Sequence, residues 1–420
     1  MSPEFESHKP SYARVGSGPV ALVPRVNIQA FCESPETAES IQVAFADRRM
    51  ARAHGTVVTG GIPAAVRLYQ TQSTPNLLLV ESDAPRDVLL ADLASLADVC
   101  QPDTKVVVIG RLNDVILYRD LIRRGVSEYI VAPVTPLHLI EIISSLYRSE
   151  KAVPIGRVIA FVGAKGGVGS STIAHNCAWQ IARSVDVETT IIDLDLAYGT
   201  AALDFNLDAS GGIIEAIAEP ERVDALLLDR LLVRLGAKLS LLGGSGGVDK
   251  DFIIEAHAVE IILTALRATV PIIVVDVPNV WAPWVKFTLL HADQVVLTAE
   301  PELASLRNTR ALADMLKAAR PNDPPPTLVL NQVGVPKRPE IAGADFRKAV
   351  GVDVAAVIPF EPQNFGAALN NGKMLLDMVP RSKAVEVLRR LADDLSGEKP
   401  AKSATAGSSL IKKLLVLGKK

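Results

Sequence analysis

The chain has 420 residues and a formal net charge of −3 at pH 7, with 49% hydrophobic and 22% charged residues. This length predicts two or three domains, because a domain commonly holds roughly 100–200 residues. The slightly negative charge argues against non-specific binding of nucleic acid by the whole surface, although it is compatible with a local basic patch. The three cysteines have neither disulfide nor metal-ligand spacing, which favours a reducing, cytoplasmic location.

The N-terminal residues 1–24 show no periodic apolar positions and are predicted to be disordered. They also lack the apolar core of a signal peptide. Of the long apolar stretches, residues 258–277 contain Glu260, Arg267 and Asp276, so this stretch is not a credible membrane span, and neither are the others.

Residues 25–149 alternate short apolar runs with amphipathic segments. The apolar runs are VNIQAF, GTVVT, NLLLVE, KVVVIG and EYIVA. Five such strand–helix units in a row predict a doubly wound α/β domain of the flavodoxin-like type.

The order and spacing of these units resemble a response-regulator receiver domain, but the residues of its chemistry are not kept. Glu81 stands where the family has its acceptor aspartate, Gly110 where it has a switching hydroxyl, and Ala132 where it has a lysine. Without that lysine, no residue is in place to transmit a change of charge at the acceptor position to the opposite face of the domain. We therefore predict a degenerate receiver that serves in docking or targeting. The alternative is a phosphorylation switch at Glu81 or Asp83.

A connector at residues 150–156 contains proline and glycine and predicts a domain boundary before a second α/β domain at 157–397. Residues 158–162 predict a buried strand of a parallel sheet. The segment AKGGVGSST follows, in which glycines let backbone N–H groups face phosphate oxygens and small hydroxyl residues open a helix. This order predicts a nucleotide-binding loop, with Ser171 offering its hydroxyl to Mg²⁺. The alternative is a glycine-rich turn that binds no ligand.

This segment resembles the deviant phosphate loop of the ParA/MinD ATPases, K/R-G-G-x-G-K-S/T-T. In that family an early signature lysine reaches across a dimer to the nucleotide of the partner, and Lys165 occupies its position. The resemblance implies that ATP is held by the following loop residues: Lys165, Gly166, Gly167, Val168, Gly169, Ser170, Ser171 and Thr172.

The loop departs from the family pattern at Ser170, which replaces the lysine that holds the β- and γ-phosphates in the same subunit. One charge at about 4 Å is worth on the order of 4 kcal/mol at an effective dielectric of about 20. Its loss is expected to weaken binding or hydrolysis unless Lys165 substitutes. A small residue at this position is expected in the pilus-assembly branch of the family, called CpaE or TadZ.

Two acidic segments follow predicted strands, at the sheet edge where ligands bind in such folds. Asp193 and Asp195 follow the run 189–192, and Asp276 follows the run 272–275 as a Walker B carboxylate does. The resemblance implies that Asp195 orients the attacking water. It also implies that Asp193, with Ser171 and Asp276, helps to hold Mg²⁺. Taken alone, an acidic pair at a strand end equally indicates a cap and a solvated turn.

Two later segments complete the resemblance. By resemblance, Asn331 would read the adenine edge, and Pro359 would lie near the base. Trp281 and Trp284 are expected to pack in a core or an interface rather than take part in chemistry. Five matches in order are more specific than any one of them, and they predict a ParA/MinD-type P-loop NTPase domain after the receiver-like one.

The C-terminal residues 398–420 are rich in Lys, Ser, Ala and Gly and are predicted to form a flexible tail. The last residues, from Leu410 to Lys420, place apolar side chains on one helical stripe flanked by lysines. MinD-type ATPases end in a comparable membrane-targeting helix, which implies a peripheral membrane contact. One tail would bind marginally, and a dimer with two tails would gain by avidity. A disordered tail or a partner-binding helix is an equally good interpretation.

The pairing of the two domains resembles the CpaE/TadZ proteins, which place the machinery of Flp-type (Tad) pili. The resemblance implies a cytoplasmic factor, located also at the inner membrane face or the cell pole, that binds ATP and Mg²⁺. It implies a homodimer formed around ATP, slow or absent hydrolysis, and contacts with pilus and secretion machinery. The alternatives are a DNA-partition ATPase, a septum- or flagellum-positioning ATPase, and a nucleotide-independent scaffold. The acidic balance argues against nucleic acid as a partner.

Overall fold

The computed structural model describes residues 22–147, 155–208, 211–244 and 252–397. The predictions for the N-terminus, the connector and the tail, including Leu410 to Lys420, lie wholly or largely outside these residues. The described residues divide into two compact units, 22–147 with 314–325, and 155–313 with 326–397. The predicted domain boundaries stay predictions. Among the described residues, no helix combines the length and the apolarity needed to cross a membrane.

The first unit is a parallel sheet with helices on both faces. Its strands are β1 (Asn27–Cys32), β2 (His54–Thr59), β3 (Leu77–Glu81), β4 (Lys105–Gly110) and β5 (Glu128–Val131). Its helices are α1 (Pro35–Phe45), α2 (Gly61–Tyr69), α3 (Arg86–Ala97), α4 (Val115–Arg123) and α5 (Pro136–Leu146). The strand order β2-β1-β3-β4-β5 is the flavodoxin-like order, so the predicted fold is confirmed.

Local sequence explains where two of these helices begin. Ser34 accepts a hydrogen bond from the N–H of Thr37 before α1, and Thr135 does the same for His138 before α5. Proline follows each capping residue and sets the backbone for the first helical turn. The central strand β3 is buried along its whole length, as expected for a strand covered on both faces.

The second unit contains a larger sheet. Its strands are β6 (Arg157–Gly163), β7 (Thr189–Asp193), β8 (Val233–Arg234), β9 (Leu239–Leu242), β10 (Ile272–Val277), β11 (Gln294–Ala299), β12 (Thr327–Val333) and β13 (Val354–Pro359). The order is β13-β12-β11-β6-β10-β7-β9-β8. The pairs are parallel except for β8 with β9. The three strands predicted before the loop and the acidic segments are therefore confirmed as β6, β7 and β10.

The helices of this unit cover the sheet. They are α6 (Ser170–Gln180), α7 (Ala201–Asp204), α8 (Gly212–Ala218), α9 (Ala225–Leu231), α10 (Ala256–Arg267), α11 (Pro283–His291), α12 (Leu303–Ala319, up to residue 313), α13 (Gly343–Val350), α14 (Pro362–Asn370), α15 (Leu375–Met378) and α16 (Lys383–Ser396). The chain passes from β6 to β7 and β10 on one side of β6, and to β11, β12 and β13 on the other. Ligands bind at the carboxyl edge of such a sheet where the strand order reverses, which here is beside β6.

Helix α6 is buried on most of its surface because the core lies on both sides of it. Ile173, Ala174, Cys177 and Ala178 pack into one apolar cluster with residues of the sheet and of α16. The loop that precedes α6 is thus joined to a helix that the core holds firmly in place.

Candidate functional site

The loop between β6 and α6 has a backbone that only glycines make possible at two positions. Gly167 and Gly169 both have a φ of +82°, which side-chain-bearing residues rarely adopt. Gly166 has no such φ, and a Cβ there would meet no atom of the described protein within 4 Å. Neither packing nor backbone conformation therefore requires glycine at position 166. A ligand that lies close to the backbone there would require it, because a Cβ atom would stand in its way.

Side-chain amides hold the loop from outside by donating to three of its carbonyl groups and to that of Gly163, the last residue of β6. The bonds are Asn279 to Gly163 (2.8 Å), Asn308 to Ala164 (2.9 Å), Gln332 to Gly167 (3.1 Å) and Asn331 to Val168 (2.8 Å). With its carbonyls engaged in this way, the loop can turn backbone N–H groups towards an anion. The sequence reasoning missed Asn279, Asn308 and Gln332, although each lies in a segment that follows or ends a predicted strand.

The two residues predicted to contact the base lie at the carboxyl edge of neighbouring strands. Asn331 is 5% exposed and lies under the loop, where a Cβ on Gly169 would come within 2.6 Å of its Nδ2 atom. Pro359 ends β13 and is the register partner of Val333. Their roles towards adenine stay predictions.

Two of the predicted acidic residues lie side by side at the ends of neighbouring strands. Asp276 and Asp193 are register partners on adjacent strands and are 4% and 2% exposed. Burial, and then the charge of Asp276, raise the pKa of Asp193 to about 6. Asp193 accepts from the N–H groups of Asp195 (3.0 Å) and Ala201 (3.2 Å), which ties the segment between them to the sheet. Asp195 accepts in turn from the N–H of Tyr198 at 2.9 Å.

Three buried oxygen atoms around the loop have no hydrogen-bond partner among the described residues. They are Ser170 Oγ, Asp276 Oδ1 and Thr298 Oγ1. They belong to the first residue of α6 and to the two strands that flank β6. Buried polar atoms almost always have a partner, so three unpaired atoms at one sheet edge fit a site that binds a polar ligand. Ser171, predicted to bind Mg²⁺, follows Ser170 and is partly exposed.

The oxygen atoms of Asp276, Asp193 and Ser171 are of the kind that binds Mg²⁺ together with a nucleotide. In the described residues, no group of three or more His, Cys, Asp or Glu side chains is arranged to bind a metal. Mg²⁺ is usually bound through one or two carboxylates, phosphate oxygens and water, so two aspartates and a hydroxyl suffice on the protein side.

The predicted signature lysine is engaged by acidic residues of its own chain. Lys165 Nζ lies 2.9 Å from Glu302 Oε1 and 3.6 Å from Glu300 Oε2. The hydrogen bond to Glu302 raises the pKa of Lys165, so the side chain is positively charged. Its side chain keeps 34% of its surface exposed. Arg338 also contacts Glu300, at 3.0 Å.

A buried histidine at this site was missed by the sequence reasoning. His175 is 0% exposed, and its Nδ1 atom lies 2.7 Å from Asp204 Oδ2. Its Nε2 atom lies 3.5 Å from Asp276 Oδ2. Burial alone would lower the pKa of His175, but the two carboxylates outweigh it and raise the pKa to about 10. The sequence offered no distinctive signal, because His175 is one of several polar residues in α6, with Ser170, Ser171, Thr172, Asn176 and Gln180.

In the first unit, the degenerate receiver positions have a structural explanation. Glu81 is 1% exposed and accepts hydrogen bonds from the N–H groups of Glu33 and Ser34 and the hydroxyls of Ser34 and Thr37. A Cβ on Gly110 would lie 2.5 Å from the hydroxyl of Tyr129. A carboxylate that is enclosed and fully bonded argues against the phosphorylation alternative at Glu81.

Comparison with known proteins gives relatives of two kinds, although no protein-family model matches the chain. A solved structure of pilus assembly protein CpaE from Caulobacter crescentus CB15 is 52% identical and covers 31% of this chain and 98% of its own, with a TM-score of 0.30. That match covers the N-terminal region. A ParA family ATPase from Chlorobium tepidum TLS is 24% identical and covers 57% of this chain and 98% of its own, with a TM-score of 0.51.

A curated relative matches less of the chain than the ParA structure does. Septum site-determining protein MinD from Helicobacter pylori is 29% identical over 162 residues, which make up 38% of this chain. The chain spans 59% of the length of that relative. The ParA structure shows the fold, which is the P-loop NTPase type predicted from the loop and the acidic segments. The CpaE match adds close sequence identity in the receiver-like region.

Proposed function

We propose a function from the premise that the chain belongs to the CpaE/TadZ family of ParA/MinD-like proteins. The protein binds ATP with Mg²⁺ at the loop after β6, dimerises around the nucleotide, and in that state positions and promotes assembly of pilus and secretion machinery. The observation that carries the nucleotide site is that three buried oxygens, of Ser170, Asp276 and Thr298, have no hydrogen-bond partner among the described residues. They lie around a glycine loop in which the carbonyls of Ala164, Gly167 and Val168 already accept from side-chain amides.

The chain supplies specific groups for each part of MgATP. Backbone N–H groups from Gly166 to Ser171 bind the phosphates, and the N-terminus of α6 favours their charge. Ser171 and Asp276 hold Mg²⁺, the second through a water, with Asp193 supporting the position. When bound, Mg²⁺ neutralises charge on the phosphates as they separate.

The dimer is supported by exposed apolar side chains around the loop. They lie in the segments after β7, β10 and β11: Tyr198 (73% exposed), Leu203 (68%), Val280 (52%), Trp281 (63%) and Leu303 (74%). Apolar side chains clustered at one edge of a domain mark an interaction surface. A second copy brought to this edge would bury them and would place its own Lys165 near the nucleotide.

Hydrolysis is proposed to be slow because the loop lacks its second lysine. Phosphoryl transfer depends mainly on positioning and on neutralising charge on the phosphates. Ser170 offers no charge, so Lys165 of the second copy supplies the missing cation only after dimerisation. Asp195 orients the attacking water. Hydrolysis then separates the two copies.

The pilus role is proposed from the CpaE relative, whose name states pilus assembly. The receiver-like unit, with its enclosed Glu81, serves as a docking module rather than a phosphorylation switch. The location at the membrane or the pole, and a membrane contact through Leu410 to Lys420, remain part of this proposal.

Calorimetry and sedimentation test the nucleotide-bound dimer. Wild-type protein is expected to bind MgATP and to change from monomer to dimer. Lys165→Ala should weaken dimerisation by about 100- to 1,000-fold, because a charge near the phosphates is worth several kcal/mol. Lys348→Ala, which removes an exposed lysine on α13, is the control and should behave as wild type. Absence of heat with MgATP, together with a monomer at every nucleotide concentration, would overturn the proposal.

Single-turnover measurements test the assignment of Ser170. Ser170→Lys should raise the rate of ATP hydrolysis by about 10- to 100-fold, because it restores a cation beside the terminal phosphates. Fast hydrolysis in wild type that Ser170→Lys leaves unchanged would contradict the proposed reason for slow turnover.

A further inference from the structure

One buried imidazole connects three elements of the candidate site. His175 lies in α6, the helix that begins at the phosphate loop. Its Nδ1 atom lies 2.7 Å from Asp204 Oδ2 in α7, and its Nε2 atom lies 3.5 Å from Asp276 Oδ2 in β10. The same side chain therefore contacts the proposed magnesium carboxylate and the short helix that follows the Asp195 segment.

Simple filling of the core does not explain this arrangement. His175 is 0% exposed, Asp276 is 4% and Asp204 is 5% exposed. Burial of three ionisable groups is costly unless they are well paired, and an apolar side chain of similar size would fill the same space without that cost. The contacts of His175 with Asp204 and Asp276 are therefore better explained by a role in the site than by core packing.

The two contacts of the ring differ in quality. The contact with Asp204 is a short hydrogen bond that fixes the plane of the ring. The contact of Nε2 with Asp276 Oδ2 is within ion-pair distance but is not a well-formed hydrogen bond, since Nε2 has no hydrogen-bond partner among the described residues. The other oxygen of that carboxylate, Oδ1, also has none there. The ring thus limits where the Asp276 carboxylate can lie and leaves it able to accept from another group.

We propose that His175 is a positioning residue for the magnesium–nucleotide site, anchored by Asp204 and holding Asp276 in the orientation that accepts from a magnesium-bound water. This inference rests on the proposed function. Groups that orient a metal-binding side chain commonly change metal affinity by about 10- to 100-fold when they are replaced.

The connection through Asp204 extends the effect to the segment after β7. Asp204 ends α7, and the N–H of Ala201 at the start of α7 donates to Asp193. One network therefore joins α6, Asp276 and Asp193. Loss of His175 is expected to disturb the magnesium side of the site and to leave the phosphate loop, which the side-chain amides hold separately, nearly unchanged.

The test is the affinity for ATP measured by calorimetry on the full chain, once with Mg²⁺ and once with EDTA. For His175→Gln, the gain in affinity that Mg²⁺ provides should fall by about 10- to 100-fold. The affinity in EDTA should change by less than about threefold, because the loop contacts remain. The ratio of ATP affinity with Mg²⁺ to ATP affinity in EDTA, here called the Mg²⁺ ratio, is insensitive to a general loss of stability, since only folded protein contributes to both titrations.

Asn176→Ala is the matched control on the same helix. Asn176 is also buried, and its carboxamide accepts from the N–H of Leu375 and donates to the carbonyl of Thr172. Its replacement should lower the thermal midpoint without changing the Mg²⁺ ratio. If His175→Gln does not fold, the same comparison on Asp204→Asn decides, with an expected fall of about 10-fold, the lower end of the range for such partners.

The outcomes separate this inference from the proposed function. If the Mg²⁺ ratio in His175→Gln stays within twofold of wild type, the positioning role is overturned, and wild-type binding of MgATP still upholds the proposed function. The same holds for Asp204→Asn where that variant decides. A fall of the same size in Asn176→Ala would also overturn it, because the effect would then be a general one of α6. Failure of wild type to bind ATP in either solution would overturn the proposed function itself.

Discussion

Each of the two sheets carries a carboxylate near the carboxyl end of a buried parallel strand, and the two carboxylates are used in opposite ways. Glu81 of β3 accepts four hydrogen bonds from its own chain. Asp276 of β10 is almost equally buried but keeps one oxygen without a hydrogen-bond partner in the described chain. The position of a carboxylate in such a fold therefore does not reveal its role, whereas its unused hydrogen-bonding capacity does.

Among the tests of this comparison, the largest expected effect concerns the enclosed carboxylate. Glu81→Gln should destabilise the first unit by about 2–4 kcal/mol. The four donors bond to two carboxylate oxygens in wild type, whereas the amide of glutamine offers them only one acceptor oxygen. Hydrogen exchange of the α1 peptides in the full chain measures this loss. Glu39→Gln, an exposed change on the same helix, is the control and should leave exchange unaltered. Normal protection of α1 in Glu81→Gln would show that the enclosed carboxylate does not stabilise the unit.

The same carboxylate predicts a pH dependence. Burial acts to raise the pKa of Glu81, but the hydrogen bonds from Ser34, Thr37 and Glu33 outweigh it and lower the pKa below its ordinary value of 4.5. A lowered folded-state pKa means that the stabilisation is complete above about pH 4.5 and is lost as the pH falls through the folded-state value. Protection of α1 should decline in acid in wild type and vary less with pH in Glu81→Gln. Equal acid profiles would count against the assignment.

A smaller effect tests whether the carboxyl edge of the second sheet faces a partner. Trp281 is 63% exposed beside the loop, whereas Trp284 is 8% exposed, so the structure separates two tryptophans that the sequence treats alike. Trp281→Ala should weaken the MgATP-dependent dimer by about 1–2 kcal/mol, roughly 10-fold, without lowering the thermal midpoint of the monomer. Sedimentation velocity measures the dimer.

Leu226→Ala provides the comparison, because Leu226 is 81% exposed but lies on α9, outside the segments after β7, β10 and β11. It should leave the dimer unchanged. Equal losses in the two variants would mean that the exposed side chains at this edge are not a specific interface.

Much of the fold could be predicted from the sequence, because parallel central strands appear as short apolar runs at regular spacing. The five strands of the first unit and the strands before the loop and the acidic segments are confirmed. The pattern gave no sign of β8, which has two residues and pairs in an antiparallel way with β9. An edge strand that short buries too little to leave a periodic signal.

The site was predictable where a motif depends on backbone geometry and unpredictable where it depends on distant contacts. The glycine loop and the placement of Asp193 and Asp276 at strand ends follow from local sequence. The amide donors Asn279 and Asn308 and the histidine His175 act through residues far away in the sequence, and a lone polar side chain does not indicate its partners. The assigned roles of Lys165, Asp195, Asn331 and the other site residues stay predictions until nucleotide binding is measured.

The smallest expected effect tests whether acidic residues of the same chain hold Lys165 back from a nucleotide on a second copy. Lys165 contacts Glu302 at 2.9 Å and must leave it to reach a nucleotide on a second copy. Glu302→Gln should therefore tighten the MgATP-dependent dimer by about three- to fivefold, less than 1 kcal/mol, because partly exposed ion pairs are weak. Glu386→Gln, which breaks an exposed pair on α16, should have no effect. A weaker dimer in Glu302→Gln would mean that this carboxylate directs Lys165 towards the partner, so that the acidic residues after β11 belong to the binding edge and do not restrain it.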